Sequence, residues 1–187
     1  MDRVVSWCPI ALAACMACSA HAANLVPNPE FDQGITGWTP RDGSIVAIEQ
    51  VEGFPAAPSV RVRTVSTCCS IVYSACMPVE VSPVDLAFRL YGISGRATAS
   101  VHMYSDSACQ VETAFEYAGG GMGNGTWMTA GRNGIALPAG TRAVRVSFST
   151  SWATFASEGD ALFDHVELVQ RGDALFADSF DAAAAGP

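Results

Sequence analysis

"VDLAFRLY", Val84 to Tyr91, sets Val84, Leu86, Phe88 and Leu90 against Asp85, Ala87, Arg89 and Tyr91. Successive side chains of an extended chain point to opposite faces, so apolar residues at every second position mark a strand with one dry side. The same alternation recurs along the chain. Ser59 to Val65 places Val60, Val62 and Thr64 opposite Arg61 and Arg63. Ala97 to Tyr104 places Ala99, Val101 and Met103 opposite Ser100, His102 and Tyr104. Gln110 to Tyr117 places Val111, Thr113, Phe115 and Tyr117 opposite Glu112, Ala114 and Glu116, and Arg142 to Thr150 places Val144, Val146 and Phe148 opposite Arg145, Ser147 and Ser149. Gly, Pro, Asn and Asp punctuate these runs, and no stretch carries a capped helical stripe. One apolar face per strand predicts an all-β, antiparallel sandwich of two sheets with wet outer rows.

The first 23 residues read as an export leader. Arg3 precedes an apolar run from Val4 to about Ala20, and Ala20-His21-Ala22 has the small-x-small pattern of a cleavage site. Leu12-Ala13-Ala14-Cys15 offers the rival reading of a lipobox, with Cys15 lipidated. Either way the chain is expected outside the cytoplasm, secreted, periplasmic or at the cell surface. Residues 24–170 are expected to form the sandwich, and the Ala-rich tail, residues 171–187, to be partly disordered. No other segment is long and apolar enough to span a bilayer.

The formal net charge is −8 and there is no Lys. An acidic surface repels phosphate backbones, which argues against nucleic acid as a partner. Lacking Lys, the chain has neither Schiff-base chemistry nor the phosphate-gripping residue of a P-loop. Four cysteines follow the leader, Cys68, Cys69, Cys76 and Cys109. An even number in an exported chain favours two disulfides, with three connectivities open. Neighbouring Cα atoms lie about 3.8 Å apart, below the usual disulfide range, so a Cys68–Cys69 bond would be strained.

Three stretches resemble the CenC-type carbohydrate-binding modules. "NLVPNPEFDQGITGW", Asn24 to Trp38, resembles their opening, "GTWMTAGRNGIALPAGTRAVRVSFS", Gly125 to Ser149, their penultimate strands, and "ALFDHVEL", Ala161 to Leu168, their closing strand. The resemblance implies a jelly-roll β-sandwich that binds polysaccharide. It implies that Asp32 and Asp164 meet near the paired chain ends, where such acids and backbone carbonyls hold a structural calcium. His165 stands where the family has a second Asp, and Asp164 could instead simply accept backbone N–H bonds. "ACMPV" and "SDSAC" resemble a bridged pair of strands, implying Cys76–Cys109, although Cys68 and Cys69 could each take one of those partners. Trp38 and Trp127 fall on motif positions that read as core.

The residues supply no catalytic constellation. A glycosidase needs two carboxyl groups roughly 5–9.5 Å apart, and Glu112 and Glu116, four strand residues apart, would be separated by about 13 Å. No Gly-x-Ser-x-Gly elbow accompanies His102 or His165. The chain reads as a non-catalytic binding module for a polysaccharide or other glycan surface. The alternative is a secreted or surface interaction protein of the same fold without a sugar site. Sugar rings stack on aromatic faces while polar groups bond their hydroxyls. The outward rows nominate Arg89, Tyr91, His102, Tyr104, Glu112 and Glu116 for that task, provided that their three strands are neighbours. Trp152, in the loop before the last strand, is the candidate ligand-contacting indole.

Overall fold

A computed structural model describes residues 23–65, 69–80, 83–151 and 158–171. Residues 1–22, Cys68, Trp152 and residues 172–187 lie outside them. Eleven strands and no helix occur among the described residues: β1 (Trp38–Pro40), β2 (Ile45–Glu49), β3 (Ser59–Thr64), β4 (Cys69–Ser74), β5 (Met77–Pro78), β6 (Val84–Ser94), β7 (Arg96–Tyr104), β8 (Glu112–Met122), β9 (Trp127–Ile135), β10 (Ala143–Ser151) and β11 (Gly159–Gln170). They form two antiparallel sheets, one ordered β1-β4-β10-β7-β8 with β5 beside β10, the other β2-β3-β11-β6-β9.

The dry rows close on each other as the alternation requires. Val84, Leu86, Phe88 and Leu90 are all but fully buried, as are Ala99, Val101 and Met103 from the facing sheet. Phe148 of β10 stacks on Phe163 of β11 at 4.3 Å between ring centroids and also meets Phe88 and Trp38. Each such side chain contributes about 1.5–3 kcal/mol through burial.

The opening motif serves this core. Phe31 and Trp38 are buried and lie 5.1 Å apart. Asn28, at φ 49°, donates from Nδ2 to the carbonyls of Gly34 and Thr36 and accepts the Gln33 N–H on its Oδ1. That residue therefore holds the turn that delivers both rings inward. The opening segment and the last strand of the sandwich run side by side, as expected: Leu25 N–H donates to Leu168 O, and Asn24 bonds both Val166 O and Leu168 N–H.

Two sequence expectations fail, for identifiable reasons. Only Gly95 separates β6 from β7, yet the two strands belong to different sheets. Gly95 has φ 68°, and a Cβ there would lie 2.6 Å from Ser151 O and 2.8 Å from Gly159 Cα. The residue is thus a corner between sheets, where bare backbone is required. The second failure concerns β8. Its register against β7 slips twice, between Met103 and Tyr104 and between Ala99 and Ser100. Each slip inserts a residue, and the one at Thr113 turns the expected inward row of Phe115 and Tyr117 outward, at 63% and 45% exposure.

Candidate functional site

The outer face of the β1-β4-β10-β7-β8 sheet gathers the groups a sugar would need. Tyr73 of β4 pairs in register with Ser147 of β10, Ser147 with Ser100 of β7, and Ser100 with Tyr117 of β8. A line thus crosses four strands with an aromatic at each end and two small hydroxyl residues between. Three inter-strand spacings make it about 14 Å long. The adjacent line runs from Arg145 through His102 to Phe115.

His102 fastens this surface together. Its ring stacks on Phe115 at 5.7 Å and meets the Tyr73 edge at 5.2 Å. Its Nε2 hydrogen-bonds Ser147 Oγ at 2.9 Å and its Nδ1 lies 3.2 Å from Glu112 Oε1. Arg145 donates from Nε to Ser74 O at 2.7 Å and holds its guanidinium 5.2 Å from the Tyr73 ring centre. Tyr104 is only 6% exposed, and its hydroxyl points to Glu112 Oε2 at 3.4 Å. Burial first, then the Glu112 charge, holds that phenol above its ordinary pKa. Tyr104 is therefore a prop beneath Glu112, and the exposed stacking surface belongs to Phe115 and Tyr117. The disulfide Cys76–Cys109 anchors the loop between β7 and β8 beside this face. Its presence excludes the arrangement in which Cys68 and Cys69 divide between those two partners.

The other nominated residues lie elsewhere. Arg89 and Tyr91, on β6, project from the opposite face of the sandwich, because Gly95 turns the chain into the other sheet. Arg89 lies 4.0 Å over the Phe54 ring and bonds Thr129 Oγ1, and Trp127 is 5.6 Å from Tyr91 and 6.2 Å from Phe54. Trp127 is thus half-exposed on an outer cluster rather than in the core. Glu116, one register position from Tyr117, turns away from Glu112 and pairs with Arg132 of β9 at 2.9 Å. The bulge at Thr113 breaks the common row that Glu112 and Glu116 were expected to share.

The two acids nominated for calcium sit in different settings. Asp32 is exposed on its turn, whereas Asp164 is buried, with Oδ2 accepting the Phe54 N–H at 2.7 Å and Oδ1 the His165 N–H at 2.9 Å. Burial pushes the Asp164 pKa up to about 6, against the opposing pull of those two N–H donors. His165 stands between Glu30 at 2.7 Å and Glu167 at 3.5 Å, so an imidazole lies among the acids. Among the described residues no three His, Cys, Asp or Glu side chains group as metal ligands.

Sequence reasoning missed Tyr73, because "CSIVYS" was not read as a strand, and misplaced Phe115 and Tyr117. Arg145 and Ser147 stood in an outward row in plain view and went unused.

No protein-family model matches the chain, and no curated protein matches its sequence. Its fold does match solved structures. The CBM22-2 xylan-binding domain of Paenibacillus barcinonensis Xyn10C superposes with a TM-score of 0.58 at 13% identity, over 76% of this chain and 98% of that one. TmCBM61, solved with β-1,4-galactotriose, gives 0.51 at 15% identity, over 80% and 100%. The enzymatically active domain of bacteriophage CBA120 tailspike protein 4 gives 0.59 at 16% identity, over 78% of this chain but 21% of that one. The chain therefore has the β-sandwich fold of carbohydrate-binding modules. The CenC type is not singled out, since the matching modules are of other types.

Proposed function

We propose that this chain is an exported, non-catalytic module that binds polysaccharide on the outer face of the β1-β4-β10-β7-β8 sheet. The observation that carries the reading is the in-register row Tyr73, Ser147, Ser100, Tyr117, with Phe115 beside it. Sugar C–H faces would stack on the exposed rings, and Ser100 and Glu112 would take the hydroxyls. The modules of like fold, one of them xylan-binding and another solved with β-1,4-galactotriose, support it. The CenC-like motifs support it from the sequence side. The leader supports export, by cleavage near Ala22 or lipidation at Cys15.

Pull-down of the mature chain against a panel of insoluble polysaccharides tests the proposal. At least one glycan should retain the protein, and a Phe115→Ala, Tyr117→Ala double variant should be released while staying folded. Retention of that variant equal to the parent would refute the assignment to this face.

A further inference from the structure

The outer rows of the two sheets divide charge unequally. On the β2-β3-β11-β6-β9 side Arg61 is matched with Asp160 and Glu49, Arg63 with Glu158 and Arg171 with Asp85, while Arg89 is covered by the Phe54 ring and bonded to Thr129. On the other side the strand residues that point outward include Arg96 and Arg145, and Glu112 is the one acid among the described residues of that row. Glu112 is already engaged by His102 and Tyr104. Neither Arg96 nor Arg145 forms an ion pair among the described residues. Arg145 is half-buried beside Tyr73, fixed by its Nε to Ser74 O, and the rest of its fork bonds none of the described residues. Arg96 is exposed and rims a recess of ≈ 310 Å³ that Tyr117, Gly120, Gly121 and Met122 complete.

A chain whose net charge is −8 thus keeps two unmatched guanidiniums on the face that also carries its exposed rings. The overall charge weakly repels anions, but salt screens distant charges within about 8–10 Å, so the local groups decide what the face accepts. A guanidinium fork matches a carboxylate in shape and charge, and pairs best where water is partly excluded. We propose that the glycan bound here carries carboxylates, as uronic acid residues, with Arg145 and Arg96 as their contacts.

This inference rests on the polysaccharide reading of the same face, and the test separates the two. The mature chain is titrated with a uronate-bearing polysaccharide, with the same preparation after carboxyl reduction, and with a sulfated neutral glycan. The uronate form should bind about tenfold tighter or more than the reduced form, a gap that added salt narrows. Arg145→Gln and Arg96→Gln should each shrink that gap, and Arg96→Gln should do so while leaving affinity for the reduced form unchanged. Arg96 is exposed, so its variant keeps the test valid should Arg145→Gln unfold. Equal affinity for the uronate and reduced forms would overturn the carboxylate inference and leave the sugar-binding reading standing. So would a preference indifferent to both arginine substitutions, or stronger binding of the sulfated glycan. Failure to bind any preparation, by a folded protein, would overturn both.

Discussion

The two outer faces of this sandwich are built from similar materials and arranged for different ends. Each has aromatics and arginines on neighbouring strands. On the β6–β9 side, Phe54, Arg89, Tyr91 and Trp127 lean on one another, and the remaining arginines are matched by acids. That face satisfies itself. On the β7–β8 side, small hydroxyl residues keep Tyr73 and Tyr117 apart, Phe115 is 63% exposed, and two arginines are unmatched. Side chains that cover one another leave little for a ligand, whereas rings that stay exposed on a stiff sheet, as Phe115 and Tyr117 do, are ready for one.

Four perturbations would break or sharpen this contrast, and the largest is expected at the disulfide. Replacing Cys76 and Cys109 with Ala frees a loop closed over 33 residues, and stability should fall by about 3–4 kcal/mol in the chain-entropy model. Denaturant titration reads that loss. Next comes Asp164, on the self-satisfied side beneath Phe54. Its folded pKa of about 6 exceeds the unfolded value near 3.8, so the folded state binds the proton more tightly. The Asp164 contribution to stability is then greatest below pH 4, falls between about pH 4 and 6, and is level above that, with a drop on the order of 2–3 kcal/mol. Melting curves across that window should show the slope, and Asp164→Asn should flatten it.

Third, Phe115→Ala should weaken glycan binding by about tenfold, roughly 1.4 kcal/mol. Being a surface change, it should move the denaturation midpoint little. Trp127→Ala should leave affinity unchanged, and isothermal titration of the two variants decides the comparison. The smallest effect is expected from calcium. With the oxygens of Asp164 taken up by backbone N–H groups, millimolar calcium should not raise the melting temperature, because an ion that does not bind the folded state cannot stabilise it.

The fold was legible because two-residue alternation is a local property, written in Val84 to Leu90 and again in Val144 to Phe148. The meeting of the opening segment and the last strand was legible through the Asn24 and closing-strand motifs. The site was legible only in part, since faces are local but neighbours are not. Alternation assigned Arg89, His102 and Glu112 to outward rows, yet nothing local says that Gly95 turns a corner and so parts strands that follow one another in sequence. Nor does a sequence announce a bulge. The extra residue at Thr113 reverses the expected sides of Phe115 and Tyr117 and separates Glu112 from Glu116. Tyr104 illustrates a third limit: its row was correct, but the packing that buries it comes from β10 and Glu112. The Trp152 assignment falls outside the described residues.

The most direct test of the central claim is backbone-amide NMR of the labelled protein during titration with a glycan that it retains. Shift changes should concentrate on Tyr73, Ser100, Phe115, Tyr117 and Ser147, with the amides of Phe54, Tyr91 and Trp127 unmoved. Changes centred on Tyr91 and Trp127 would place the ligand on the opposite sheet and contradict it.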